Sequence, residues 1–85
     1  MSALEDLLAD LTSGDETRAD AAVPALAALG GETVIPSLRG LLDSDDADIR
    51  WWATRTLASL PSLDAGLLLP SLSDAAPEVR QCAAL

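Results

Sequence analysis

Histidine, lysine, phenylalanine and tyrosine are all missing from this chain, and cysteine occurs once. Without His there can be no Ser-His-Asp or Cys-His arrangement, and the commonest metal ligand and neutral-pH base is gone. Without Lys, every positive side chain is an Arg, five in all against 14 Asp and Glu, for a formal net charge of −9. Such a surface repels phosphates, so neither nucleic acid nor an anionic membrane is expected as a partner. A single Cys cannot form an intramolecular disulfide, and no stretch has the basic, apolar and small-residue order of a signal peptide, so a cytoplasmic location is expected. No apolar run comes near the roughly 20 residues of a membrane-spanning helix. The only aromatic side chains are two Trp.

What is present is mostly Leu and Ala, in a chain that is 49% hydrophobic. That mixture favours helix over strand. Eighty-five residues suffice for one domain that buries roughly 60–65% of the surface its unfolded chain exposes. A capping box at Ser2 and Glu5 opens a first helix carrying Leu4, Leu7, Leu8 and Leu11 at i, i+3, i+4, i+7. Gly14 breaks it. A second helix, Glu16 to Leu29, has a face of small residues and ends at Gly30-Gly31; Pro24 inside it implies a kink or a start near Val23. A third begins at Glu32 or Thr33 and carries Val34, Ile35, Leu38, Leu41 and Leu42, with Pro36 placed in its first turn. A fourth, about Ala47 to Leu60, is expected to bury Ile49, Ala53, Thr56 or Leu57, and Leu60. A fifth follows Ser62 or Asp64 with Leu67, Leu68 and Leu72, weakened by Gly66 and Pro70. A sixth starts near Pro77 and turns Val79, Cys82, Ala83 and Leu85 inward.

An acidic turn leading into a helix with an early Arg occurs three times. Its fullest copy is Asp45 to Leu60, the next Asp74 to Leu85, and the weakest Asp15 to Ala22. The Arg residues of the three copies, Arg18, Arg50 and Arg80, are spaced by 32 and 30 residues. A fixed period of this length marks a solenoid in which each helix pair buries its face against the next. The expected fold is therefore all-α, an α-solenoid of about three antiparallel helix pairs and six helices. Residues 1–85 form one domain with repeats at approximately 1–30, 31–61 and 62–85. The last repeat reads as truncated, since helix six stops five residues after its Arg, which suggests a fragment of a longer array or a face covered by another chain.

The pattern Leu-Leu-x-x-x-x-x-x-Ile-Arg-x-x-Ala-x-x-x-Leu, read from Leu41-Leu42 to Leu57 and again from Leu72 to Val79-Arg80-x-x-Ala83, resembles the HEAT-like repeats of the phycobilisome-lyase type. The resemblance implies a scaffold that binds proteins, with helices two, four and six forming one layer. It also implies a structural ladder in which Arg18, Arg50 and Arg80 meet turn carboxylates such as Asp15, Asp46 and Asp74. A planar guanidinium suits that task because it can bridge a carboxylate and the free carbonyls of helix ends. The HEAT-like deoxyhypusine hydroxylases are excluded, because their His-Glu iron site has no counterpart here.

Other candidate sites reduce to structure. Cys82 shares a helix face with Val79 and reads as a small buried residue. The run Asp43, Asp45, Asp46, Asp48 is not an EF-hand loop, since Asp48 falls where Gly is required and Thr54 where a bidentate Glu should be. Trp51 and Trp52 are different. Adjacent on one helix, they point roughly 100° apart and cannot both face the core. One can wedge between repeats while the other lies beside Arg55, four residues after Trp51. Large aromatics anchor protein interfaces, so Trp51, Trp52 and Arg55 are the candidate binding residues. No catalytic residue, metal or cofactor is expected. The chain reads as a noncatalytic protein-interaction scaffold. The alternatives are a part of a phycobilin-lyase-like chromophore lyase or isomerase, and a structural unit that self-associates through its C-terminal face.

Overall fold

A computed structural model describes residues 3–60 and 69–84. All regular structure among them is helical: α1 (Ala3–Leu11), α2 (Glu16–Ala28), α3 (Gly31–Leu41), α4 (Ala47–Ala58), the four-residue turn of helix α5 (Leu69–Leu72) and α6 (Pro77–Ala84). Five of these run eight residues or more. Most of the expected fifth helix, with Leu67 and Leu68, lies outside the described residues, as do Ser2 and Leu85.

The core is built from Leu11, Ala22, Val23, Leu26, Val34, Leu38, Ala53, Leu57 and Leu60, with Leu4, Leu7, Leu8, Ile35 and Trp52 packed on its margin. α1 lies on α2 and α3 on α4, while α2, α4 and α6 pack in succession, so α4 is the element that touches most of the others. Burial of a Leu side chain contributes about 1.5–3 kcal/mol, and the small Ala22 and Ala53 let α2 and α4 approach closely. Both Thr56 and Leu57 are buried, and so is Thr54. Ile49, expected inside, is only half-buried.

Two prolines lie inside helices. α2 begins at Glu16 and runs through Pro24 to Ala28. Pro24 is exposed, so the carbonyl that loses its helical partner, on the exposed Asp20, stays open to water. α3 starts at Gly31, so Pro36 is its sixth residue rather than part of its first turn. It too faces outward. In both helices solvent supplies what the ring removes.

The earlier start of α3 follows from Gly30, which directly follows Leu29, the C-cap of α2, and is the N-cap of α3, at φ 95° and ψ 143°. A side chain strains the backbone there, although a Cβ would meet nothing within 4 Å. Gly30→Ala should therefore cost about 1–3 kcal/mol. Gly40, in α3 and equally open, gives the opposite sign, since Gly40→Ala should add about 0.5–1 kcal/mol. Paired urea titrations read both; equal effects would contradict the backbone assignment.

The turns before α2 and α4 are built alike. The Asp15 N–H donates to Ser13 Oγ at 3.2 Å, and the Asp46 N–H donates to Ser44 Oγ at 3.1 Å. Each Asp then caps its helix. Asp15 Oδ1 accepts from the N–H of Thr17 and Arg18, and Asp46 Oδ1 accepts from that of Asp48. The same 31-residue step separates Leu4 from Ile35, Leu7 from Leu38, Ala22 from Ala53 and Leu26 from Leu57. Before α6 the position of Ser44 is taken by Asp74, whose Oδ1 accepts from the Ala76 N–H at 2.9 Å.

Candidate functional site

That replacement of Ser by Asp carries a consequence for α4. Arg50 places Nε 2.8 Å from Asp74 Oδ2 and Nη2 3.1 Å from Asp74 Oδ1. Its Nη1 donates to the Ser44 carbonyl at 2.8 Å. The side chains are only 17% and 10% exposed. One guanidinium therefore closes its own turn and grips the next, using the fork geometry that makes Arg–carboxylate pairs strong. The Arg50 hydrogen bond holds the Asp74 carboxyl below its ordinary pKa against the opposing effect of desolvation, and the same bond raises Arg50. A buried hydroxyl pair joins the same helix to α5: Thr54 Oγ1 and Ser71 Oγ are 2.8 Å apart, and Thr54 Oγ1 also donates to the Arg50 carbonyl at 2.8 Å.

The ladder expected from the resemblance thus holds at Arg50 and changes at the other two rungs. Arg80 donates to the backbone carbonyls of Asp74 and Ala75 at 2.7 and 3.3 Å. Arg18 turns away from Asp15 to Asp10 on α1, at 2.6 Å, with its side chain 58% exposed. The reason is register. Both Arg50 and Arg80 have their N–H on the carbonyl that starts the helix, of Asp46 and Ala76 respectively, and in α2 the residue so placed is Ala19. Arg18 sits one position early, where a side chain points to solvent. Its exposed ion pair adds little to stability.

The two Trp side chains divide as adjacent helical positions require. Their rings meet edge to face, with centroids 4.7 Å apart at 89°. Trp52 packs on the margin of the core. Trp51 is half-buried and carries the Arg55 guanidinium 5.7 Å above its ring centroid. Arg55 is in turn 3.9 Å from Asp20 on α2, both largely exposed. The three candidate residues are therefore one connected group on α4.

Beside them lies a cleft of about 360 Å³, with Leu11, Thr12, Gly14 and Glu16 of the α1–α2 connection on one side and Asp46, Asp48, Ile49, Trp51 and Trp52 on the other. Both Trp residues line it, while Arg55 stays outside. Sequence reasoning missed Glu16, Ile49 and Asp48 as neighbours of the Trp pair. The available signal was the Ser-x-Asp step of 31 residues, which sets one turn beside the start of the helix in the next unit.

Elsewhere the chemistry is quiet. Cys82 is buried, and burial pushes its thiol pKa up, with Arg55 opposing weakly. That keeps it protonated and unreactive. Among the described residues no group of three or more His, Cys, Asp or Glu could hold a metal ion. No helix there is long and apolar enough to cross a membrane.

The family model of HEAT repeats matches residues 4–85. No curated protein and no solved structure matches the chain.

Proposed function

Because the chain belongs to the HEAT-repeat family, we propose that it is a noncatalytic scaffold that binds a protein partner through the Trp51 face of α4. HEAT repeats usually serve protein–protein interaction. The observation that carries the reading is the placement of Trp51. It is a large aromatic held by Arg55 and Trp52 on a rigid helix, bordering a cleft rather than joining the core. A rigid, amphipathic side chain of this kind loses little conformational freedom on binding and is a typical interface anchor. The missing His and the protonated, buried Cys82 support the noncatalytic part.

The finer architecture follows the same reading. Three units, each an antiparallel helix pair, stack so that α2, α4 and α6 form the inner layer. The Arg on the fourth helical position of α4 and α6 supports a place among repeats of the phycobilisome-lyase type.

The test is Trp51→Ala, chosen over Trp52 because Trp52 supports the core. The variant should keep its far-UV circular dichroism spectrum and lose about 30-fold or more in affinity for a captured partner. Full affinity in the variant would remove Trp51 from the interface, and a collapse of helicity would assign it to the core.

A further inference from the structure

Resting on the reading of Trp51 as an anchor, the charge around the cleft narrows the partner's chemistry. Glu16, Asp46 and Asp48 line it, and none of the chain's five Arg residues does. Asp46 Oδ1 is occupied with the Asp48 N–H. Glu16 and Asp48 are exposed, and among the described residues neither forms an ion pair. Trp51 and Trp52 line the cleft together with Leu11 and Ile49, so it combines carboxylates with aromatic and apolar surface, and its 360 Å³ is at the small end of ligand pockets. It suits one or two long side chains rather than a folded element.

We infer that the cleft receives an arginine side chain from an extended segment of the partner, its guanidinium stacked on the Trp pair and facing Glu16 and Asp48. The molecule already builds this constellation once. Arg55 lies over Trp51 with Asp20 3.9 Å from its guanidinium. An incoming Arg would repeat the arrangement on the cleft side with carboxylates of the same chain. Arg suits the site better than Lys, because a planar, weakly hydrated guanidinium stacks on an aromatic face while its edge donates to carboxylates. A neutral or acidic segment would leave Glu16 and Asp48 facing apolar or like-charged groups, and the chain's net charge of −9 slows the approach of an acidic partner while speeding that of a basic one.

The experiment is selection of a displayed library of random 12-residue peptides on the whole 85-residue chain, followed by affinity measurement of the enriched peptides. The expected winners carry Arg at a fixed position. Replacing that Arg by citrulline, which keeps the shape and removes the charge, should weaken binding at least tenfold, and so should the E16Q/D48N double variant. The peptide substitution leaves the protein untouched, so it reads the site even if the double variant is less stable. Peptides that need Trp51 but bind equally well as citrulline analogues would overturn this inference and leave the scaffold reading standing. If no peptide is enriched, or if none of the enriched peptides depends on Trp51, both fall.

Discussion

Leu57→Ala should remove about 2–5 kcal/mol of the unfolding free energy, the largest loss expected from any single substitution in the chain. Leu57 has no exposed surface and belongs to α4, the helix against which α2, α3 and α6 all pack. Truncation leaves a cavity at the centre of these contacts. The core that Leu57 belongs to also contains Ala22 and Ala53, side chains too short to fill such a gap, so relaxation recovers little. A domain of this size has a total stability of about 4–13 kcal/mol. A loss of that size leaves the variant close to its unfolding threshold. Urea titration should show a lower midpoint at an unchanged slope, the mark of a stability change without a change in the denatured state. A loss below about 1 kcal/mol would mean that α4 is not the packing centre.

The second large effect is dependent on pH. Asp74→Asn keeps the shape of the side chain but removes the charge that Arg50 grips, leaving a guanidinium only 17% exposed without its carboxylate. Because Arg50 holds the folded-state pKa of Asp74 down, the pair's contribution is fully present above the unfolded-state carboxylate pKa of about 3.9. It is lost as pH falls from there through the lower folded value, because in that window the unfolded chain binds a proton that the native carboxylate excludes. The native chain and Asp74→Asn should therefore differ most near neutral pH and converge below about pH 4. The check is a set of urea midpoints for both chains between about pH 2 and 7. A gap that stays constant into strong acid would show that the difference does not arise from the charge on Asp74.

Much of the architecture could be read from residue spacing because each helix signals its own face. The i, i+3, i+4, i+7 leucines of α1 and the Asp caps are local features, and they hold in the folded chain, while the face that α2 buries is Ala19, Ala22, Val23 and Leu26. Exposure is not local, which is why Pro36 falls inside α3 rather than in its first turn. A proline is tolerated inside a helix when its side faces water, and only packing decides that. Arg18 misled for another reason. Aligning the repeats on Arg gave it a role that the Ser-x-Asp turn, with its fixed 31-residue step, assigns to Ala19.

The Trp pair was legible as an anomaly, since adjacent helical positions cannot both be buried. Its surroundings were not. Glu16 and Asp48 reach the cleft from different units, so their proximity depends on how α2 and α4 stack, and no periodicity within a helix reports that. Thr54 and Ser71 were hidden likewise, because two hydroxyls are buried together only once α4 and α5 are in place.

The most direct test is the ¹⁵N-edited NMR spectrum of the whole chain with and without a selected peptide or captured partner. Docking at the cleft should shift the amides of residues 11–16 and 46–52 together with both indole N–H signals, and leave α3 unchanged. Shifts confined to α3 or α6, with both indoles unmoved, would contradict the assignment of Trp51 and its cleft as the binding surface.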